Sequence, residues 1–537
     1  MPTTLTYPGV YIEEVPSGVR TIASVSTADT AFVDCFRRGP MNRAVRITSL
    51  ADFQRVFGGL DPTSEASYAI QQYFLNGGSV AWVVRVSREP QPVAASFTLR
   101  GGSPLQNTLT AQAANPGTWG NALQVAAVPG STPDRFNLVV REVVTANGQP
   151  VLGSNGLPQI VGIETHRNLS MDQRSSRYAV TAVGADSQLV ELIDRGLGNL
   201  PVTTALTPRG DVPEAAFQRL TGGTDTSPPD SDALRGDPDS RTGLYALDRI
   251  EPFIFNLLCL PAAANLDQPT ANLDTPNLRA VVAEAEAYCE AKRAFLIVDV
   301  PASVNTQVEM NTWMATNEGI RHPNAAVYFP RLAIPDPANE GRARDVGASG
   351  TLAGVFARTD AARGVWKAPA GTDATLRNAN LALTLTDPEN GALNPLGINA
   401  LRNFAIFGNI SWGARTLVGA DQQSSEWKYV PVRRTALFIE TSLYQGLKWV
   451  VFEPNDEPLW AQIRLNVGAF MHNLFVQSAF QGKTPAEAYF VKCDKETTTQ
   501  NDIDRGIVNV LVGFAPLKPA EFVVIKIEQM AGQVQAG

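Results

Sequence analysis

The chain has 537 residues, of which 44% are apolar and 18% charged, with 43 Gly, 37 Pro, a formal net charge of −8 and a pI near 5.2. That length can bury several large cores without metals or disulfides, and the Gly and Pro content points to many turns and strands. The acidic balance, with no Lys/Arg cluster interleaved with aromatics, argues against a nucleic-acid partner, and no apolar run is long enough for direct membrane insertion.

The chain opens with "YPGVYIEEVPSGVRTI", residues 7 to 22, a β-branched apolar run placed before any compact unit could have been completed. Alternation in "VYIEEV" makes Glu13 a solvent-facing strand residue, so Glu13-Glu14 is not read as a cation site. "STADTAFVDCFRRGP" follows as a strand ending at Gly39-Pro40. In "ITSLADFQRVFGG", Leu50, Phe53, Val56 and Phe57 recur at helical spacing until Gly58-Gly59 stops the helix. "SEASYAIQQYFLNGG" predicts a second helix, and "SVAWVVRVS" a buried strand. The N-terminus lacks the basic region and apolar core of a secretory signal, so synthesis and folding in the cytoplasm are expected, with Cys35, Cys259, Cys289 and Cys493 as reduced structural thiols.

From about 90 to 238 the texture becomes short alternating runs separated by Gly, Pro, Asn and Asp, which predicts a β-rich insertion, a sandwich or barrel. Residues 240 to about 430 return to continuous apolar strands with intervening helices, the grammar of a mainly parallel sheet covered on both faces. "ASGTLAGVFARTDAARG" predicts a close-packed small-residue helix, and "LNPLGINALRNF" a short helix capped by Asn394. Near the end, "NDEPLWAQIRLNVGAFMHNLFVQSAFQG" sets Trp460, Ile463, Val467, Phe470, Leu474 and Phe475 on one stripe, capped by Asp456 or Asn455 and stopped by Gly482. Thr484 and Glu487 predict a second capped helix. "GIVNVLVGFAP" and "AEFVVIKIEQ" predict two closing strands.

The fold class is therefore α/β (α+β overall) and multidomain. The expected divisions are an N-terminal arm over 1–24, the first part of an α/β core over 25–90, and a β-rich insertion over 91–238. The core continues over 239–430, and a helical-plus-strand unit occupies 431–537.

Chemistry is sparse. There is no phosphate loop, dinucleotide fingerprint, HExxH or CxxC, and His166, His322 and His472 lie apart from one another and from cysteine. No cofactor, metal or catalytic residue is expected. One arrangement invites an alternative: Asp299, His322 and Ser349 follow the chain order of subtilisin-type hydrolases on a suitable scaffold. Only 27 residues separate His322 from Ser349, too few for the strands that usually intervene, and glycine beside Ser349 more simply permits tight helix packing.

"YPGVYIEEVPSGVRTI", "ITSLADFQRVFGG", "YFLNGGSVAWVVRV", "SWGARTL", "FEPNDEPLWAQIRLNVGAFMHNLF" and "APLKPAEFVVIKIEQ" together resemble the tail sheath proteins of contractile phage tails and related contractile injection systems. The resemblance covers roughly 1–90 and 240–537, while 91–238 corresponds in position only, to a variable outer insertion. It implies a structural subunit that polymerises helically, with other sheath subunits, an inner tube protein, baseplate and terminator proteins as partners, and a subtilisin-like domain that lacks a working triad. It further implies a passage from cytoplasm to assembled particle, and contraction by rigid-body rearrangement without nucleotide.

An extended run of about 20 residues reaches on the order of 60 Å, enough to pair with a neighbour's sheet. Val10, Tyr11, Ile12, Val15, Val19 and Ile22 are the expected arm residues. Val508, Val510, Val512, Phe522, Val524, Ile525 and Ile527 are the expected C-terminal strand residues. Asn394, Asn399, Arg402 and Asn403 are candidates for facing the tube. Deleting 1–22 is expected to leave a folded protein that no longer polymerises.

Overall fold

The computed structural model describes residues 20–526 apart from 147, 226–227 and 268–272. At its centre is an eight-stranded sheet. Its strands are β1 (Thr30–Asp34), β2 (Ala44–Ile47), β3 (Ala81–Arg85), β4 (Leu257–Cys259), β5 (Phe295–Val298), β6 (Ala325–Phe329), β7 (Asn399–Phe404) and β8 (Gly408–Ser411). They lie in the order β2-β3-β1-β4-β5-β6-β7-β8. The block from β3 to β7 is parallel, and β2 and β8 close its edges antiparallel.

The side-chain period of two sorts these strands between two cores. Leu296 and Val298 of β5, with Ala31 and Val33 of β1, face one core, which holds Val281, Ala285 and Cys289 of α3 (Pro276–Lys292) and Trp313 of α4 (Gln307–Thr316). Phe295, Ile297 and Phe32 face the other. There they meet α1 (Leu50–Phe57), α2 (Glu65–Asn76), α5 (Ser349–Arg363) and α6 (Val430–Gly446). Burial on both faces explains why these strands read as unbroken apolar runs.

α1 starts where the Ser49 hydroxyl accepts from Asp52 N at 3.1 Å and ends at Gly58, φ 88°. α2 and α5 approach backbone to backbone. A Cβ on Gly350 would lie 2.3 Å from Ala69 O, and one on Gly354 2.5 Å from Tyr73 O. The small-residue helix expected from the sequence is thus the partner of α2.

The intervening region builds two antiparallel sheets. One contains Leu123–Pro129, Phe136–Val143, Ile160–Leu169 and Gln218–Arg219; the other contains Ser96–Gly101, Gln106–Ala113 and Val190–Asp194. Leu99, Leu109, Val125, Leu138 and Leu192 meet between them in one core, with helix Ala179–Asp186.

Two expectations fail here. "LNPLGINALRNF" is not a helix: Asn394–Leu396 make a single 3-10 turn, Gly397 (φ 81°) reverses the chain, and the rest is β7, with Tyr328 opposite Asn399. Pairing with an existing sheet overrides the local N-cap signal. The second failure is "AEFVVIKIEQ", whose residues 520–526 form no strand among the described residues. Alternation alone supplies no hydrogen-bonding partner.

Candidate assembly surface

The C-terminal unit is organised by α7 (Glu457–Val476), which Asp456 caps by accepting from Leu459 N at 3.4 Å. The expected stripe is buried: Trp460, Ile463, Val467, Phe470 and Leu474 form a separate core with Phe438 and Ile439 of α6. The helix ends at Val476 rather than at Gly482. Thr484 makes no side-chain cap, and only the short turn Pro485–Ala488 is helical.

Ile22 lies in this same core, with a methyl group against Gly446, where a Cβ would come within 2.6 Å of it. Arg20 N donates to Asn466 Oδ1 at 3.0 Å, and its guanidinium stacks on Trp449, 4.5 Å from the ring centre. Ile22 is therefore a residue of its own chain's core, which corrects its assignment to the arm; apolar burial within reach outcompetes an external site. Val10, Tyr11, Ile12, Val15 and Val19 lie outside the described residues, as do Glu13, Glu14 and Ile527.

β9 (Tyr489–Lys492) pairs antiparallel with β10 (Leu511–Phe514) from Tyr489 opposite Phe514 to Lys492 opposite Leu511. No third strand joins this sheet among the described residues. Val512 lies within β10, while Val508 and Val510 lead into it, all three resting on the C-terminal core. β9 was not expected; its signal, the alternation in "YFVK", is only four residues long.

Beyond β10 the chain is held by one charged joint. Arg415, 1% exposed, donates from Nε and Nη2 to the two carboxylate oxygens of Glu521, each at 2.7 Å. Its Nη1 donates to Asp421 Oδ1 at 3.0 Å and to the Asn394 carbonyl at 2.9 Å, while Tyr429 donates to Glu521 at 3.2 Å. Burial alone would lower the Arg415 pKa, but Glu521 and Asp421 outweigh it and raise the value. Immediately after this joint Phe522, Val523, Val524 and Ile525 are each three-quarters or more exposed.

The hydrolase constellation is not assembled. Asp299 follows β5 and accepts from Ser349 N at 2.8 Å and Ser349 Oγ at 2.5 Å, so this buried carboxylate serves the start of α5. Burial, then the nearby Glu65 charge, pushes the Asp299 pKa up to about 6. His322 stands before β6, at the opposite end of the neighbouring strand. Its Nδ1 accepts from Asn324 N at 3.1 Å, and its Nε2 is 3.5 Å from Glu290. Leu296 is level with Ala325 in the parallel pair, so Asp299 and His322 diverge to opposite strand ends, on the order of 15–20 Å apart. No imidazole can reach Ser349.

The tube-facing candidates separate. Asn399 is buried, donating to the carbonyls of Val327 (3.0 Å) and Arg415 (2.7 Å) and accepting from Arg415 N, so it ties strands together and faces no partner. Arg402 is buried against Asp387 at 2.8 Å. Asn394 offers its carbonyl to Arg415. Asn403 is exposed, bonded to Asn409 Oδ1 at 2.7 Å, on the hairpin whose tip displays Ile406 and Phe407. Among the described residues no group of His, Cys, Asp or Glu side chains could hold a metal, and no helix is long and apolar enough to cross a membrane.

Comparison with known proteins falls on these same elements. Residues 422–530 match the phage tail sheath C-terminal domain. The tail sheath protein of Vibrio phage KVP40 is 28% identical over 186 residues, 34% of this chain and 26% of that one. A Pseudomonas aeruginosa prophage relative is 26% identical over 45% of this chain and 60% of its own length. The chain thus spans about a quarter to three-fifths of the curated relatives it matches.

Solved structures extend the likeness along nearly the whole chain. The helical sheath of the anti-feeding prophage in its contracted state aligns with a TM-score of 0.55 at 22% identity, covering 98% of this chain and 100% of that one. A sheath tail protein of Listeria innocua aligns with a TM-score of 0.57 at 13% identity, covering 93% and 96%. The chain has the fold of contractile tail sheath proteins, and its residues 422–530 match the phage tail sheath C-terminal domain.

Proposed function

We propose that this chain is a structural sheath subunit. It polymerises helically around an inner tube protein, between baseplate and terminator proteins, and contracts by rigid-body rearrangement to drive the tube through a target envelope. The observation that carries the reading is the coincidence, within the matched stretch 422–530, of a two-stranded sheet that has no further strand neighbours among the described residues with an exposed apolar tail. Unpaired strand edges are templates for another chain.

In this reading the arm before residue 20, carrying Val10, Tyr11, Ile12, Val15 and Val19, adds to the β9–β10 sheet of a neighbour. The tail bearing Phe522, Val524, Ile525 and Ile527 adds to that of another. A contact between different patches on identical subunits propagates as a helix when it does not close. The central sheet with its two cores, the insertion and the C-terminal unit each move as units while the strand exchange persists. Nothing in this cycle calls for a nucleotide or a catalytic residue. Asn403, on its exposed hairpin, remains the tube-facing candidate with an accessible side chain.

Electron microscopy of the purified full chain tests the reading. Hollow striated cylinders of wide bore are expected as concentration rises, and a monomer at all concentrations overturns it. The hydrolase alternative predicts labelling by a serine-directed probe lost in Ser349→Ala; the separation of His322 from Ser349 disfavours it, and no labelling is expected.

A further inference from the structure

Among the exposed apolar side chains, Phe452 is set apart by its backbone. The chain turns over 450–453, with Glu453 N donating to Val450 O at 3.1 Å, Val451 at φ −64° and ψ 129°, and Phe452 at φ 70°. This is a type II turn carrying phenylalanine at the position that calls for glycine. Left-handed backbone is unfavourable for an L residue, whose Cβ crowds the neighbouring carbonyl. Nothing among the described residues offsets that cost, because the ring is fully exposed, and Val451 beside it is also exposed. The base of the turn is fixed: Trp449 and Val450 rest on the C-terminal core, and Arg20 lies over the Trp449 ring. A strained backbone on a rigid base, presenting an aromatic ring to water, marks a contact made outside the chain.

A matching receptor lies at the far end of α7. An open cavity of about 920 Å³ is lined by Trp366, Trp412 and Tyr429, with Arg363, Lys367 and Lys518, and on one side by the start of the tail at Phe522 and Val523. Gln477, the residue after α7, borders it, whereas the Phe452 turn precedes the start of the same helix. Twenty residues of helix separate the two features by about 30 Å, so peg and cavity cannot meet within one chain. Their charges are complementary. Glu453 follows the peg directly, while Glu457 is paired with Arg464 at 2.6 Å. At the cavity the carboxylate of Glu521 is taken up by Arg415, Arg363 has the exposed Asp373 at 3.3 Å, and Lys367 donates to the carbonyls of Ala368 and Ala370, which leaves the exposed Lys518 at the rim.

We infer that Phe452 of one subunit inserts into the Trp366–Trp412–Tyr429 cavity of a second copy of this chain, guided by Glu453 meeting Lys518. The contact joins two different patches and therefore propagates head to tail, in addition to strand exchange. Aromatic pegs in aromatic pockets concentrate binding energy in few residues. The inference rests on the sheath-subunit reading.

The test is the critical concentration for polymerisation of the full chain, read by sedimentation and electron microscopy. Phe452→Gly removes the backbone strain with the ring, so its melting temperature is expected to equal or exceed that of the parent, while the critical concentration rises at least tenfold. Lys518→Glu weakens assembly in the same direction, and Glu453→Lys combined with Lys518→Glu recovers it. Assembly of Phe452→Gly at the parent's concentration overturns the inference, as does normal assembly with loss of tube retention, which would place the peg against the tube. A parent protein that never polymerises overturns both this inference and the sheath reading, whereas the first two outcomes leave the sheath reading intact.

Discussion

At the scale of single residues, charge placement decides what is fixed and what is free. Arg415 spends its donors on Glu521, Asp421 and two carbonyls, and so determines where the exposed tail leaves the body. Hydrogen bonds to charged groups contribute about 1.5–3 kcal/mol each. Glu521→Gln is therefore expected to leave the fold intact but to raise the rate of tryptic cleavage after Lys526 roughly tenfold. Glu286 of α3 shows the opposite situation: it is buried and its Oε1 has no hydrogen-bond partner, and burial pushes its pKa up to about 9. The native state then holds a proton that the unfolded chain, with a pKa near 4.5, releases, so this residue costs stability progressively as pH rises from about 4.5 to 9. Glu286→Gln should raise the melting temperature at pH 8 by several degrees and leave it nearly unchanged at pH 4, as calorimetry at the two pH values would show. An equal shift at both would contradict the assignment.

At the scale of elements, close approach and open edges have separate consequences. α2 and α5 touch through Gly350 and Gly354, so Gly350→Ala must push a helix away from the Ala69 carbonyl. Overpacking of this kind typically costs about 1–3 kcal/mol. Chemical denaturation of Gly350→Ala should show that loss, while Gly391→Ala, whose Cβ meets nothing within 4 Å, should show almost none. The β9–β10 pair is the converse case. Two strands are marginal alone, and this pair is held by Phe480, Phe514 and Tyr489 resting on the C-terminal core. An edge retained on such a support is suited to accept strands from other chains.

At the scale of the whole molecule, Arg20 and Ile22 are tied to the C-terminal core, so the proposed arm lies before residue 20. Removing 1–19 leaves Arg20 and Ile22 in place, and the truncated chain is expected to unfold at the parent's temperature yet fail to form tubes. Removing 1–22 takes Ile22 out of its core, and loss of a buried side chain of that size costs about 2–5 kcal/mol. Thermal melts of the two truncations, beside their electron micrographs, separate an assembly defect from a folding defect. Equal destabilisation by both would place the boundary earlier.

The parallel strands, the helices on both faces of the sheet and the stripe of α7 were legible in the sequence. Each is dictated by a local period, two or 3.6, that burial imposes directly on residue type. The likeness of the two chain ends to sheath proteins was legible for the same reason, as short motifs that need no partner to be recognised. What the sequence left open depends on contacts distant along the chain. Residues 399–404 became a strand because β6 offered an edge, and Ile22 joined a core assembled more than 400 residues later. Asp299 and Ser349 met without His322 because neighbouring parallel strands leave Asp299 and His322 at opposite ends. The strain at Phe452 arises from a turn whose geometry the residue itself disfavours. Local periodicity fixed the elements, and tertiary pairing decided which side chains were used up inside the chain and which remained for another.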